Sequence, residues 1–278
     1  MLLDNKTQES LKTFFQEIRL LDKDNNAGSD KSAKIAQILA FLEVFNSLVR
    51  NYSRKRELVF VDCGAGNCYL SYLVYYFYSH IEGRRIRIHC IDNNERLMEK
   101  NSQTAKKFEF DGMFFYGCDI ADYKHSGQPD MVYSLHACDK ATDKMLFLGI
   151  ETEAKNILSV SCCQHTIRKQ LKGHPYIGMT RHRVFKERLS YMIGDSIRAL
   201  LVEMQGYKVD MIDFVSSRAT DKNVMLRARK GQTVHFERLA EEYFDLHQTF
   251  SVVPALEEYL SQSETTRILP WRIASKAS

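Results

Sequence analysis

With 278 residues, 44% of them hydrophobic and 27% charged, the chain has the make-up of a folded protein with a sizeable core, which excludes a disordered one. A formal net charge of +4 permits contact with nucleic acid without demanding it, so the placing of the cations matters more than their sum. The start MLLDNKTQES lacks the basic opening and apolar run of a secretion signal. No apolar stretch is expected to reach the length of a membrane span, and seven cysteines without a C-x-x-C pair suit a reducing compartment. The expectation is a soluble cytoplasmic protein with no membrane contact and no obligate protein partner.

In chain order, Leu11, Phe14, Phe15, Ile18 and Leu21 recur at helical spacing, and after the polar break DKDNNAGSDK so do Ile35, Ile38, Leu39, Leu42, Phe45 and Val49. They read as two amphipathic helices of an N-terminal extension, residues 1–56, that covers an edge or a face of the core. Leu58 to Val61 is a short buried strand ended by Asp62 and the glycines Gly64 and Gly66, and a helix follows. Glycines there admit positive φ and let a ligand approach without a Cβ in the way, while the helix start offers unpaired N–H groups. A nucleotide-like ligand is the expectation. A dinucleotide fingerprint wants a third glycine where this chain has Tyr69, so that reading weakens.

Residues 69–78 are apolar or aromatic nearly all round, as in a helix trapped against a sheet. RIRIHCID is a second strand ending at Asp92, placed for a ribose, and residues 95–107 make a polar helix. MFFYGCD is a third strand ending at Asp119, whose carboxylate suits an adenine amino group. A fourth strand, Met131 to Leu135, opens into His136, Ala137, Cys138 and Asp139. After a helix, NILSVSCCQH makes a fifth strand ending at Cys162, Cys163, Gln164 and His165. This alternation predicts a parallel, doubly wound α/β sheet with ligands at its carboxyl ends. A helix over 189–205 capped by Gly206 precedes two strands, YKVDMIDFVS and NVMLRARK, joined by a short turn at 221–223 as an antiparallel hairpin. The tail, residues 231–278, carries Phe236, Leu239, Tyr243 and Phe244 at helical spacing and a second helix near Pro254.

If extension continues past the fourth and fifth strands, His136 and Cys138 share a face, as do Cys163 and His165. His136, Asp139 and His165 are the candidate catalytic groups, a histidine serving as general base near neutrality. Asp139 and Thr142 are equally readable as N-caps of the helix that follows. Mixed Cys/His sites bind zinc, but adjacent Cys162 and Cys163 point oppositely and no close chelating pair exists, so no metal is expected. The stretch from Gln164 to Arg188 holds Arg168, Lys169, Lys172, Arg181, Arg183, Lys186 and Arg188 against the single acid Glu187, with Tyr176 and Phe185 interleaved. It reads as a basic loop for phosphate contact and base stacking, or as a plain solvated loop.

The combination of DCGAG at 62–66, LHACDKATDKML at 135–146 and SCCQH at 161–165, supported by the late FVSSRATDKNVMLRA, resembles the methyltransferase-32 type branch of class I S-adenosylmethionine (SAM) methyltransferases. More distantly it is similar to the eukaryotic enzymes that methylate a ribose 2′-hydroxyl in the tRNA acceptor stem. The resemblance covers roughly Leu58 to Arg229, with Cys68 where the family often has a third glycine. It implies a seven-stranded Rossmann-like methyltransferase domain over residues 57–230 with SAM as cofactor. It implies that Asp62, Gly64, Ala65 and Gly66 hold the methionine end, that Asp92 and Asn93 hold the ribose and Asp119 and Ile120 the adenine, and that His136 lies beside the cofactor. Arg168, Lys169, Lys172, Arg181 and Arg183 would contact an RNA substrate. The expected activity is methylation of an oxygen or nitrogen of tRNA or rRNA. The alternatives are a small-molecule methyltransferase lidded by the N-terminal helices and a SAM-binding module without catalysis.

Overall fold

A computed structural model of the chain describes residues 5–18, 20–21, 29–137, 139–215, 223–231 and 235–267. Seven strands form one sheet in the order β3-β2-β1-β4-β5-β7-β6. They are β1 (Leu58–Cys63), β2 (Ile86–Asp92), β3 (Met113–Gly117), β4 (Met131–Leu135), β5 (Asn156–Val160), β6 (Tyr207–Asp213) and β7 (Val224–Lys230). The first five run parallel; β7 is antiparallel to both β5 and β6, which agrees with the doubly wound sheet and final hairpin expected from the sequence. Because β1 lies between β2 and β4, the chain reverses its direction of winding there, and a crevice opens at the carboxyl ends of these strands.

Two layers of helix bury the two faces. On one side lie α1 (Asn5–Glu17), α2 (Ser29–Val49), α3 (Tyr69–Tyr75) and α4 (Glu95–Lys107), and on the other α5 (Lys140–Glu151), α8 (Arg183–Met204), α9 (Phe236–Phe250) and α10 (Ala255–Gln262). Two short helices, α6 (His165–Gln170) and α7 (Ile177–Thr180), link β5 to α8. The N-terminal helices share the first core: Phe45 stands edge-on to Phe60 and Tyr133, with ring centroids 4.8 and 5.4 Å apart, and Phe14 stacks on Tyr76 at 4.5 Å.

Several local expectations need correction. Lys31–Val49 is in fact long and apolar enough to cross a membrane by length and composition. Its Ile38, Phe41, Leu42, Phe45 and Val49 are instead buried in the core. The aromatic helix after the glycine turn does not end at Tyr78, since α3 passes into a π-helical turn, Tyr76–Ile81, where the wider coil lets successive bulky rings pack. β3 stops two residues before Asp119 and β5 stops at Val160. The basic segment is helical rather than a loop, and α8 begins at Arg183, six residues before the expected start. Of the turn at 221–223, residues 221 and 222 lie outside the described residues.

Phe45 is fully buried against two rings, so Phe45→Ala should cost about 3–5 kcal/mol of unfolding free energy, read from the urea midpoint at constant slope.

Candidate active site

The turn after β1 is shaped by its glycines. Gly64 has φ +73° and Gly66 φ +52°, and the N–H groups of Gly64 and Ala65 both donate to the Ile91 carbonyl at 2.8 and 3.0 Å. A Cβ at Gly64 would stand 3.5 Å from the Cβ of Ala137, because the turns after β1 and β4 face each other across the crevice. At Gly66 a Cβ would meet nothing within 4 Å, so this side of the turn is open to a ligand. Cys68, where a third glycine would stand, also takes a left-handed φ of +55°. Asn101, a residue that sequence reasoning missed, braces the turn by donating to the Gly66 carbonyl at 2.7 Å. A single asparagine inside a polar helix carries no sequence signal of such a role.

Asp92 joins the same turn. One carboxylate oxygen accepts from Gly66 N–H and the other from Asn94 N–H, both at 3.0 Å. Each oxygen keeps a second lone pair for a ribose hydroxyl. Asn93 is exposed beside it, and Asn94 caps α4. Asp62 is buried and accepts from Ser71 Oγ at 2.6 Å, and that hydroxyl also contacts Tyr133 OH. Burial pushes the Asp62 carboxyl up to about 7, the Ser71 hydrogen bond opposing and the Asp92 charge adding to the rise. Asp119 is taken up by Lys144, whose Nζ lies 2.7 and 2.6 Å from its two oxygens, and this hydrogen bond holds its carboxyl below the usual range. Ile120 beside it is buried.

At the ends of β4 and β5 the extended backbone does not continue. His136 has φ +72°, so extension ends there, and the expected sharing of a face with Cys138 falls on a residue outside those described. The His136 N–H donates to Val160 O at 3.0 Å, and its Nε2 lies 2.9 Å from Oε1 of Gln37, a buried residue of α2. Nothing in the apolar periodicity of α2 singles out Gln37. Asp139 holds the N-cap position of α5, but its side chain makes no cap hydrogen bond there. Its carboxylate accepts from Thr166 N–H at 3.0 Å and Thr166 Oγ1 at 2.7 Å, tying the β4 loop to the start of α6, while Thr142 Oγ1 donates to Ala137 O at 2.6 Å. His165 opens α6, is exposed, and sits with Nδ1 3.3 Å from an Arg168 guanidinium nitrogen; since β5 has ended, it does not share a strand face with Cys163. Among the described residues no group of three or more His, Cys, Asp or Glu is arranged to hold a metal ion.

Two hollows adjoin this edge. Arg168, Lys169, Lys172, Arg181, Arg183 and Lys186 with Thr180 line one of about 600 Å³, so the five cations expected to contact RNA come together with a sixth. The other, about 250 Å³, lies between α8 and the β6–β7 hairpin, with Tyr191, Met192, Met211 and Val224 on its walls and Ser161 and Asp195 beside them.

A family model described as a methyltransferase domain matches residues 33–170. No curated protein matches the chain. Solved structures resemble the chain at low identity. Magnesium protoporphyrin IX methyltransferase from Synechocystis PCC 6803, with bound SAH, is 16% identical over 79% of this chain and 94% of that one, with a TM-score of 0.48. The 23S rRNA methyltransferase ErmE is 10% identical over 84% and 86%, with a TM-score of 0.43. A SAM-dependent methyltransferase from Aquifex aeolicus is 11% identical over 81% and 97%, at 0.42.

The Asp62 carboxyl ionises at its ordinary 3.8 in the unfolded chain and near 7 in the folded one, so its contribution to stability is full below pH 4 and lost as pH rises toward 7. Urea unfolding of Asp62→Asn beside the parent at pH 4, 5.5 and 7.5 should show the variant gaining relative stability across that window, by on the order of 1 kcal/mol or more.

Proposed function

We propose that the chain is a SAM-dependent methyltransferase, in keeping with the methyltransferase-domain model that matches residues 33–170, and that it transfers the methyl group to an oxygen or nitrogen of RNA. The observation that carries this reading is the cationic groove of α6, α7 and α8, in which six Lys and Arg side chains converge directly after the fifth strand. Phosphates are the ligands such a groove neutralises, and exposed Tyr176 and Phe185 on the same segment offer ring faces to bases.

The turn fits the cofactor. Gly66 leaves open space, Gly64 admits close approach, and the Asp92 carboxylate is held against the turn at the end of β2. Asp62, Gly64, Ala65 and Gly66 would hold the methionine end, Asp92 and Asn93 the ribose, and Asp119, Ile120 and His136 the remaining walls, with the adenine amino group competing with Lys144 for the Asp119 oxygens. SAM when bound supplies an electrophilic methyl group on a sulfonium, which an acceptor attacks in line. The chain's part is to align the acceptor, which supplies much of the rate gain, and to remove its proton. The Gln37 amide oxygen accepts from His136 Nε2–H, which leaves the ring's lone pair on Nδ1, an atom shielded from water; for His136 to be the proton acceptor in this reading, the methyl acceptor must reach Nδ1 inside the crevice. Asp139 orients α6 through Thr166, and His165 stands on the rim among the phosphate ligands.

The apolar hollow beside Tyr191 and Met192 favours a second reading, an apolar small molecule as methyl acceptor.

Gly64→Val should abolish SAM binding in calorimetric titration while leaving a cooperative thermal transition, because a branched Cβ at φ +73° is strained and crowds Ala137. The double change Arg181→Gln and Arg183→Gln should weaken binding of total tRNA and lower its salt slope by about one for each phosphate no longer neutralised, with SAM affinity unchanged. An RNA affinity and slope equal to the parent's would remove the groove from the RNA reading and move the weight to the small-molecule acceptor.

A further inference from the structure

The sheet carries a second assembly of rings and cations, away from the crevice. On the face opposite α3 and α4, β2 and β3 present Arg87, His89, Phe114 and Tyr116 by strand alternation, and the segment after β3 folds back to bring Tyr123, Lys124 and His125 to them. The His89 ring stacks on Tyr116 at 5.7 Å and 10° and on Phe114 at 5.3 Å and 27°, with His125 edge-on at 5.1 Å. Its Nδ1 is fixed by Tyr116 OH at 3.0 Å and Tyr123 OH at 2.9 Å. Phe114, 39% exposed, leaves an aromatic edge in water at the side of this stack.

His89, Tyr116, Tyr123 and His125 with Arg87 and Lys124 line a cavity of about 370 Å³, and Phe114 stands at the edge of the stack outside its lining. Among the described residues no carboxylate lines it. Glu57 pairs with Arg87 from outside at 3.1 Å, and Glu151 and Glu153 belong to the adjoining hollow. Burial, then the charges of His125 and Arg87, lowers His89 to about 4, and burial lowers His125 as well. At neutral pH the imidazoles are therefore neutral ring surfaces, and the positive charge of the cavity comes from Arg87 and Lys124. Val59 and Arg87 are at the beginnings of their strands, whereas Gly64 and Asp92 are at the ends. From Arg87 to Asp92 the strand rises about 17 Å, so the Arg87 end of the cavity is remote from the cofactor turn, while its Tyr116 and Tyr123 end approaches Ile91 and Ile120.

A stack of flat rings flanked by two cations, on a rigid sheet, matches one unit of a nucleotide: a base for the rings and a phosphate for the cations. We propose that this face is a second ligand site for a nucleoside monophosphate unit, with its base on the exposed Phe114 ring at the edge of the His89 stack and its phosphate at Arg87 and Lys124. The unit is either free or part of a single-stranded RNA. The polymeric form rests on the RNA reading given above; the free form does not.

The test uses the full chain with saturating SAH, which keeps the probes out of the cofactor crevice. AMP and a fluorescent ten-residue oligouridylate are titrated against the parent, Phe114→Ala, Arg87→Gln, and the Arg181→Gln/Arg183→Gln variant. Retained SAH binding in each variant shows that the fold survives. The site predicts that Phe114→Ala weakens at least one probe tenfold or more and that Arg87→Gln weakens it and lowers its salt slope by about one. Loss confined to the oligonucleotide identifies an RNA strand as occupant; loss with AMP identifies a free nucleotide, even if no RNA proves to be methylated. Parent-like binding in both Phe114→Ala and Arg87→Gln, or no binding of either probe by the parent, overturns the site. A loss seen only in the Arg181→Gln/Arg183→Gln variant overturns it too, while leaving the RNA reading in place.

Discussion

A buried guanidinium fixes the working edge of this molecule. Arg198 on α8 is 1% exposed, donates through Nε and Nη2 to the two oxygens of Asp143 at 2.7 and 3.2 Å, and through Nη1 to Gln164 at 2.7 Å and Asp195 at 3.3 Å. Burial alone would make its proton easier to lose, and Asp143 followed by Asp195 outweighs this and holds it above its ordinary value. A charge so far from water is tolerable only with its partners in place, so α5, the loop after β5 and α8 are held in one arrangement. The start of α10 joins them, since Ala255 N–H donates to Asp143 at 3.2 Å. The cationic groove and the apolar hollow are both built on α8, and their position against the ends of β4 and β5 follows from this ion.

Backbone conformation does the corresponding work on the cofactor side. Gly64, Gly66, Cys68, His136 and Asp139 all have positive φ, and three of these five are not glycine. Such positions cost on the order of 1–3 kcal/mol when a Cβ is present, and they persist here because surrounding contacts over-determine them. His136 is pinned by Val160 O and by Gln37; Cys68 receives a hydrogen bond from Asn101 at 3.2 Å; Asp139 is locked to Thr166. Three of the six described non-glycine residues with positive φ lie where the turns after β1 and β4 approach each other, which is also where a methyl donor and its acceptor would have to meet.

The N-terminal helices belong to both levels of organisation. α2 supplies Phe41 and Phe45 to the core beneath the sheet, and from the same helix Gln37 reaches the end of β4. Lys34 lies 5.0 Å from the centre of the Tyr69 ring at the start of α3. Packing a helix across the strand ends thus delivers a buried amide to a histidine without any loop inserted for the purpose.

Much of the fold was legible in the chain alone. The apolar strand runs, the glycine pair after Val61 and the alternation of strand with helix required a parallel sheet and located its carboxyl edge, because burial and backbone freedom are local properties of residue type. The same holds for the cations of residues 164–188, whose density no buried helix would tolerate. Pairings across the fold were not legible. That Asp119 faces Lys144, that Asp139 reaches Thr166 and not its own helix, that Gln37 meets His136 and that Arg198 is a buried ion all depend on side chains between 25 and 99 residues apart. Nor did the sequence show where extension stops at Leu135 and Val160, since both strands run on into residues as compatible with a strand as with a turn. Residue chemistry set which elements form and which groups gather at the strand ends; only the packing of helices against the sheet decided which group faces which, because those contacts join elements that no local pattern connects.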